Sequence, residues 1–152
     1  PVLSRGLGDV YKRQKIYLYF FKKKRSIMQW FIYCLKNYAK FDGRAGRPEY
    51  WFYALFSTLI FFILQFLSSM LGLQYSMNEL ITVYPLASIW QVVTFVPSLA
   101  VGVRRMHDIN RSGFWLLFLL LPLIGWLLIM IFALLKGNDD DNDYGSPNFS
   151  PI

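Results

Sequence analysis

Two polar segments of the chain carry the side chains that could do chemistry. One runs from Phe41 to Trp51 and the other from Arg104 to Trp115. Both are rich in arginine, whose planar guanidinium group binds phosphate and carboxylate through paired hydrogen bonds. If the segments meet, they predict a site for a phosphate-bearing group or a partner. The candidate binding residues are Arg44, Arg47, Arg104, Arg105 and Arg111.

Three carboxylates lie among these arginines and are predicted to form structural ion pairs. They are Asp42, Glu49 and Asp108. Arg104 and Asp108 stand four residues apart, which is the spacing of an ion pair on one helix face. Five guanidinium groups against three carboxylates leave two for a ligand. The alternative stays open that these arginines only mark the cytoplasmic side and contact lipid phosphates generically.

His107 is the one histidine of the chain and stands beside Asp108. Adjacent residues on a helix do not face each other, so the two are not a ready-made catalytic dyad. A multi-histidine zinc site is excluded, and Cys34 has no second cysteine to help it bind a metal. Ser112 lacks the G-x-S-x-G setting of a hydrolase nucleophile, and no P-loop spacing occurs. We therefore predict no catalytic residue, no metal and no cofactor, with a polar role for His107.

The rest of the chain indicates an integral membrane protein. Of the 152 residues, 55% are hydrophobic and 16% are charged, against about 45–50% and about 25% in soluble domains. Three stretches contain no charge: residues 50–78, 80–103 and 112–135. In a helix, 24 residues reach about 36 Å, enough to cross a hydrocarbon core of about 30 Å. The sequence predicts an all-α fold with three transmembrane helices at about 48–71, 80–103 and 113–135.

Basic residues set the predicted orientation. Seven of the eight Lys and Arg residues after residue 27 precede the first span or separate the second from the third. The positive-inside rule then predicts a cytoplasmic N-terminus and an outside C-terminus. Ahead of the first span, residues 28–38 place aromatic and aliphatic side chains on one helical face. This pattern predicts a short amphipathic helix in the membrane interface.

The ends of the chain differ from this membrane domain, which is predicted to cover residues 28–147. Residues 1–27 hold eight basic residues and one acid, whereas the remainder holds eight of each. Residues 1–14 resemble an adapter-derived stretch of assembled sequence data, so residues 1–27 are predicted to be a non-native or disordered extension. Residues 136–152 form an acidic tail. Because the basic excess belongs to the extension, a nucleic-acid partner is not expected.

Three short patterns resemble a known family. They are F-x-G-R-x-x-R-x-E-Y-W from Phe41, R-R-x-H-D-x-x-R-S-G-x-W from Arg104, and the closing residues Asn142 to Pro147. In this order and separation they resemble the YhaH-type family of small bacterial inner-membrane proteins, a family of unknown function. The resemblance covers residues 28–147. It implies the bacterial inner membrane as location and implies no known reaction.

We therefore expect a non-enzymatic, multi-pass inner-membrane protein whose two arginine-rich segments dock lipid head groups or a partner. The expected partners are the bilayer, anionic lipid head groups, and a second copy or another membrane protein. One alternative is an oligomeric transporter or channel component, for which Gln65, Gln91 and Thr94 are the polar residues within the spans. A second is a membrane enzyme acting on phosphate-bearing lipid, with His107 and Asp108 as its acid–base groups.

Overall fold

The computed structural model describes residues 27–78 and 81–147, and this part of the chain is mostly helical. The prediction for the N-terminal extension, apart from Ile27, lies outside the described residues. A short antiparallel ribbon joins the two longest helices and pairs Tyr75 with Val83 and Ser76 with Thr82. The elements are α1 (Ile27–Lys36), α2 (Arg47–Met70), β1 (Tyr75–Ser76), β2 (Thr82–Val83), α3 (Pro85–Asp108), a 3-10 helix (Gly113–Leu120) and α4 (Ile124–Leu134).

Helices α2 and α3 form an antiparallel pair, and in the described residues they are the two helices long and apolar enough to cross a membrane. Each begins with proline in its first turn, at Pro48 and Pro85, where the missing N–H has no intrahelical acceptor in any case. Beyond Leu71, which caps α2, Gly72 adopts a left-handed φ of 65° that turns the chain toward the ribbon. Most of the large apolar side chains of α2 and α3 are exposed, as expected of helices that face lipid.

The second long helix differs from its predicted bounds. It begins at Pro85 and continues through Arg104, Arg105 and Asp108, whereas residues 80–103 were predicted. The predicted span ended before these charged residues because charges rarely lie within a membrane-spanning segment. They remain helical because all three side chains are buried and paired.

The predicted third span is not one continuous helix. Residues 113–135 form the 3-10 helix, a turn at residues 121–123, and then α4. Leu123 adopts a positive φ of 65°, and the preceding Pro122 has no N–H to continue a helix. A Cβ added at Gly125 would lie 1.5 Å from the Phe118 carbonyl oxygen, so glycine lets the two legs touch. Each leg is about 16 Å long, half the thickness of a hydrocarbon core.

The hairpin formed by residues 113–135 returns the chain to the end of the bundle from which it left. Arg47 Nε donates to the Leu135 carbonyl oxygen at 2.8 Å, and Asn138 N donates to the Asp108 carbonyl oxygen at 2.9 Å. The described C-terminal segment therefore lies at the same end as the start of α2. The sequence predicted N- and C-terminal segments on opposite sides of the membrane because it counted residues 113–135 as a full crossing, whereas in the structure the chain reverses within them.

Helix α1 packs across this same end and completes the small core. Phe31 and Cys34 point inward and pack with Ala45, Tyr53 and Val101. The rings of Phe31 and Tyr53 lie 5.9 Å apart. The core is thus concentrated where α1, α2 and α3 meet, directly beneath the arginine-rich segments.

Candidate functional site

The two arginine-rich segments meet at one end of the helix pair. The backbone N–H of Ala45 donates to the Arg104 carbonyl oxygen at 2.9 Å, which ties the segment before α2 to the C-terminal part of α3. Ala45 is fully buried. The segment after α4 joins them, since Asn138 bonds to Asp108. Three stretches that are distant in sequence therefore enclose one cluster of charged side chains.

Asp108 is the centre of this cluster. Its Oδ1 accepts from Arg44, at 3.1 Å from Nε and 3.0 Å from Nη2, and its Oδ2 accepts from Arg105 Nη1. Both guanidinium side chains are fully buried, and the Asp108 side chain is 7% exposed. Asp108 pairs with Arg105 three residues before it and with Arg44 across the bundle. Arg104, which lies four residues before Asp108 and was predicted as its partner, pairs with Glu49 instead.

Main-chain carbonyl groups satisfy the remaining donors of Arg44 and Arg105. Arg44 Nη1 donates to the carbonyl oxygens of Asp140 at 2.8 Å and Gly145 at 3.1 Å, and Nη2 donates to that of Asn138. Arg105 donates to the carbonyl oxygens at positions 133 and 135. Both residues are therefore fully engaged in holding the hairpin and the C-terminal segment to the bundle.

A second buried ion pair joins Arg104 to Glu49 of α2. Arg104 Nη1 donates to Glu49 Oε1, and the Cys34 thiol lies 3.7 Å from the same oxygen. Burial, together with the negative charge of Glu49, raises the pKa of Cys34 to about 12. The thiol stays protonated and donates to the carboxylate, so Cys34 is a hydrogen-bond partner here and not a nucleophile.

The cluster contains more buried positive than negative charge. Among the described residues, Arg44, Arg104 and Arg105 are at most 2% exposed, and the buried carboxylates are Glu49 and Asp108. Each guanidinium group has a carboxylate partner, but Arg44 and Arg105 share Asp108, so the three cations and two anions leave a net charge of +1 in the buried cluster. Such a charge is costly away from water unless an anion or a polar network compensates it.

The unpaired donors belong to Arg104. Its Nε and Nη2 have no hydrogen-bond partner within the described part of the chain, and neither does Glu49 Oε2. The Arg104 side chain lines a cavity of about 360 Å³, whose other lining residues include Tyr33 of α1, Lys40 and Arg44. The Tyr33 ring lies 5.9 Å from the guanidinium carbon of Arg104. A buried guanidinium group with two unpaired nitrogen donors thus belongs to a residue that lines a polar cavity.

The rim of this cavity comes from two connecting segments. Lys40, Asp42 and Gly43 form one side, and residues 144–147 form the other. Lys40 and Asp42 are exposed. Within the described part of the chain, Asp42 forms no ion pair. Asp42 is thus the predicted pairing carboxylate that the structure leaves at the cavity rim, whereas Glu49 and Asp108 lie in buried pairs.

His107 occupies a structural position beside the cavity. Its ring stacks on that of Tyr144 with centroids 3.8 Å apart and an interplanar angle of 6°. Its Nδ1 lies 3.1 Å from the Gly43 carbonyl oxygen, and its own carbonyl oxygen accepts from Asn142 Nδ2 at 2.9 Å. The histidine therefore fastens the C-terminal segment to the segment that precedes α2.

The two other candidate arginines lie outside the cavity. Arg47 donates to Leu135. Arg111 lies over the rings of Trp115 and Phe132, 5.2 and 5.7 Å from their centroids. Of the five predicted binding residues, only Arg104 combines burial, unpaired donors and an adjoining cavity.

Sequence reasoning missed three contributors to this site. Lys40 and Tyr33 belong to segments read only as positive-inside charge and as an interfacial helix. Tyr144 belongs to the closing pattern from Asn142 to Pro147, and its place in that pattern was a usable signal. Throughout residues 27–78 and 81–147, no group of three or more metal-ligating side chains comes together.

The fold and the site together define a small helical membrane protein with an arginine-rich buried cluster at one end of its helix pair. Residues 38–146 match the family described as protein of unknown function (DUF805), and the chain belongs to this family. The predicted YhaH-type resemblance is thereby confirmed.

Two curated relatives from Escherichia coli (strain K12) are inner membrane proteins. The chain is 41% identical to inner membrane protein YhaH over 125 residues, which is 82% of this chain and 100% of the relative. It is 38% identical to inner membrane protein YhaI over 123 residues, which is 80% of this chain and 98% of the relative. No solved structure matches the chain.

Proposed function

We propose that this is a non-enzymatic inner-membrane protein whose cytoplasmic end binds a phosphate-bearing group in the Arg104 cavity. One observation carries the proposal: Arg104 is 1% exposed, has two unpaired donor atoms and lines a cavity of about 360 Å³. A buried donor left unsatisfied costs about 1–3 kcal/mol. An anionic oxygen in the cavity removes this cost.

Phosphate suits the cavity better than a simple carboxylate does. Guanidinium and ammonium groups are the usual partners of phosphate oxygens, and both Arg104 and Lys40 line the cavity. A phosphate offers oxygens to both cations at once. The net positive charge of the buried cluster favours an occupant with negative charge.

We propose a topology of two membrane crossings and a re-entrant hairpin, with both described ends in the cytoplasm. Its support is that the seven basic residues used for the orientation, together with Lys136, now stand at one end of the helix pair. Positive residues next to spans favour the cytoplasm, whereas acidic residues contribute little. The acidic tail at the same end therefore does not oppose the assignment.

The non-enzymatic part of the proposal is supported by the state of the reactive side chains. Cys34 is held as a thiol, and His107 is engaged by Tyr144 and the Gly43 carbonyl oxygen. Asp108 is occupied by two guanidinium groups. A general acid or base needs a proton position that a substrate can reach.

We also propose that copies of the chain associate through the bilayer. Gln91 of α3 is exposed within the candidate span and lines a cavity of about 320 Å³ that Thr58 of α2 also lines. An amide exposed to lipid gains from hydrogen bonds across helices. Gln91→Leu should reduce cross-linking between copies in native membranes, and an unchanged yield would count against association through this face.

Calorimetric titration of the chain in non-ionic detergent with glycerol phosphate and with phosphatidylglycerol tests the phosphate site. Arg104→Gln and Lys40→Gln should each weaken binding about tenfold or more, as for a lost charged hydrogen bond. Arg111→Gln is the matched control, because Arg111 lies at the same end but outside the cavity. Lys40 is exposed, so its variant tests binding without disturbing the core. Equal affinity in wild type and both cavity variants would refute the proposal.

A further inference from the structure

A second cavity lies on the other side of His107 and is apolar. It measures about 390 Å³ and is lined by side chains of α3, of the first leg of the hairpin and of the segment before α2. The lining residues include Val103 of α3, Leu117 of the first leg and Phe41 of the segment before α2. None of the lining side chains other than His107 is titratable. This cavity suits a hydrocarbon chain and offers little to a phosphate.

One wall separates the apolar cavity from the Arg104 cavity. His107 lines the apolar side, and Tyr144, stacked on it at 3.8 Å, lines the polar side. Gly43 completes the wall through its carbonyl oxygen, 3.1 Å from His107 Nδ1. The neighbouring residues Phe41 and Asp42 line the apolar and the polar cavity respectively. We call the place where Phe41 and Asp42 adjoin the edge of the wall. A molecule that crosses this edge can occupy both cavities.

The two cavities also lie at different depths along α3. Arg104 stands four residues before Asp108, the last residue of the helix, and Leu99 stands nine before it. These separations correspond to about 6 Å and about 13 Å from the helix end. A polar cavity near the helix end and an apolar cavity that continues deeper match the boundary between head groups and hydrocarbon.

We propose that the phosphate-bearing ligand is an anionic phospholipid of the inner leaflet, with one acyl chain in the apolar cavity. Its phosphate contacts Arg104 and Lys40, and its chain passes the edge at Phe41 and lies against Val103 and Leu117. The inference rests on the proposed phosphate site and adds the class of ligand. The stacked pair of His107 and Tyr144 acts as the divider that fixes where the head group ends and the chain begins.

The test compares phosphatidylglycerols of increasing chain length with glycerol phosphate, which has no chain, in one non-ionic detergent. Leu117→Trp fills the apolar cavity. Leu127→Trp is the matched control, because Leu127 is equally a leucine of the hairpin, is 55% exposed and does not line the cavity. Affinities are expressed as the ratio of wild type to variant, so that partition of the lipid into micelles cancels.

The wild-type to Leu117→Trp ratio should rise by up to about fourfold for each added methylene that the cavity buries. It should stay near one for glycerol phosphate and for every ligand with Leu127→Trp. A ratio that is independent of chain length overturns the phospholipid inference and leaves the phosphate site standing. If Lys40→Gln and Arg104→Gln bind glycerol phosphate as wild type does, the phosphate site fails, whatever the chain dependence.

Discussion

Replacing Asp108 by asparagine should destabilise the protein more than the loss of an ordinary ion pair does. Asp108 is the shared anion of Arg44 and Arg105, and both guanidinium side chains are fully buried. Asp108→Asn keeps the shape of the side chain and removes its charge. Two buried cations then lose their only carboxylate partner, because the other buried carboxylate, Glu49, is engaged by Arg104.

The expected cost follows from the burial of the cluster. Removing one partner of a buried ion pair costs about 3–5 kcal/mol, and here one substitution breaks two pairs. The expected loss is therefore at the upper end of that range, against a total stability of about 5–15 kcal/mol for a typical protein. Reversible unfolding in mixed micelles, followed by tryptophan fluorescence, measures the difference in the free energy of unfolding between wild type and Asp108→Asn.

Asp139→Asn is the matched control for this experiment. Asp139 pairs with Lys136 through side chains that are 66% and 72% exposed, and exposed pairs contribute about 1 kcal/mol or less. The two variants make the same chemical change at the same end of the molecule. If Asp108→Asn cost no more than Asp139→Asn, the buried cluster would not be what holds the three segments together.

Three further predictions concern topology, the thiol and the hairpin. Engineered thiols at Ser76 and Ser146, labelled from outside intact cells in a background without other accessible thiols, should react only at Ser76; labelling of both would place the C-terminal segment outside. Cys34 should resist alkylation at pH 8 until the protein is unfolded. Burial raises the pKa of this thiol from its usual value of 9.0 to about 12, so its contribution to stability should be lost as pH rises from 9 to 12. Alkylation that is as fast in folded as in unfolded protein would contradict the buried position of the thiol. Gly125→Ala should cost at least about 1–3 kcal/mol, because its Cβ would meet a carbonyl oxygen of the opposite leg at 1.5 Å; Leu127→Ala, on the exposed face, is the comparison in the same unfolding assay, and equal costs would argue against close contact of the legs.

The sequence was sufficient for the class of protein and for the end that carries the chemistry. Three uncharged stretches and the placement of Arg44 and Arg104 outside them were enough to predict a helical membrane protein with one arginine-rich end. The patterns around these residues were enough to indicate the family. These features are local, because hydropathy and charge are properties of each segment by itself.

The direction of the third apolar stretch could not be decided from composition. The same apolar residues can form either a hairpin of two short legs or one spanning helix. Hydropathy therefore does not distinguish the two structures. Pro122 and Gly125 are residue types that indicate a kink in a helix. That the kink is a full reversal depends on contact between the legs and on the hydrogen bond from Arg47 to Leu135, 88 residues apart.

The use of each arginine was likewise decided by tertiary structure alone. Arg44 reaches carbonyl groups 94 to 101 residues away, and Arg104 pairs with Glu49 across 55 residues. Residue types give the number of guanidinium and carboxylate groups, but the free energy of each depends on which pairs are formed away from water. In the folded chain Arg44 and Arg105 are engaged in buried pairs, whereas Arg104 keeps two unpaired donors and lines a cavity. The number of charges along the sequence does not determine this difference.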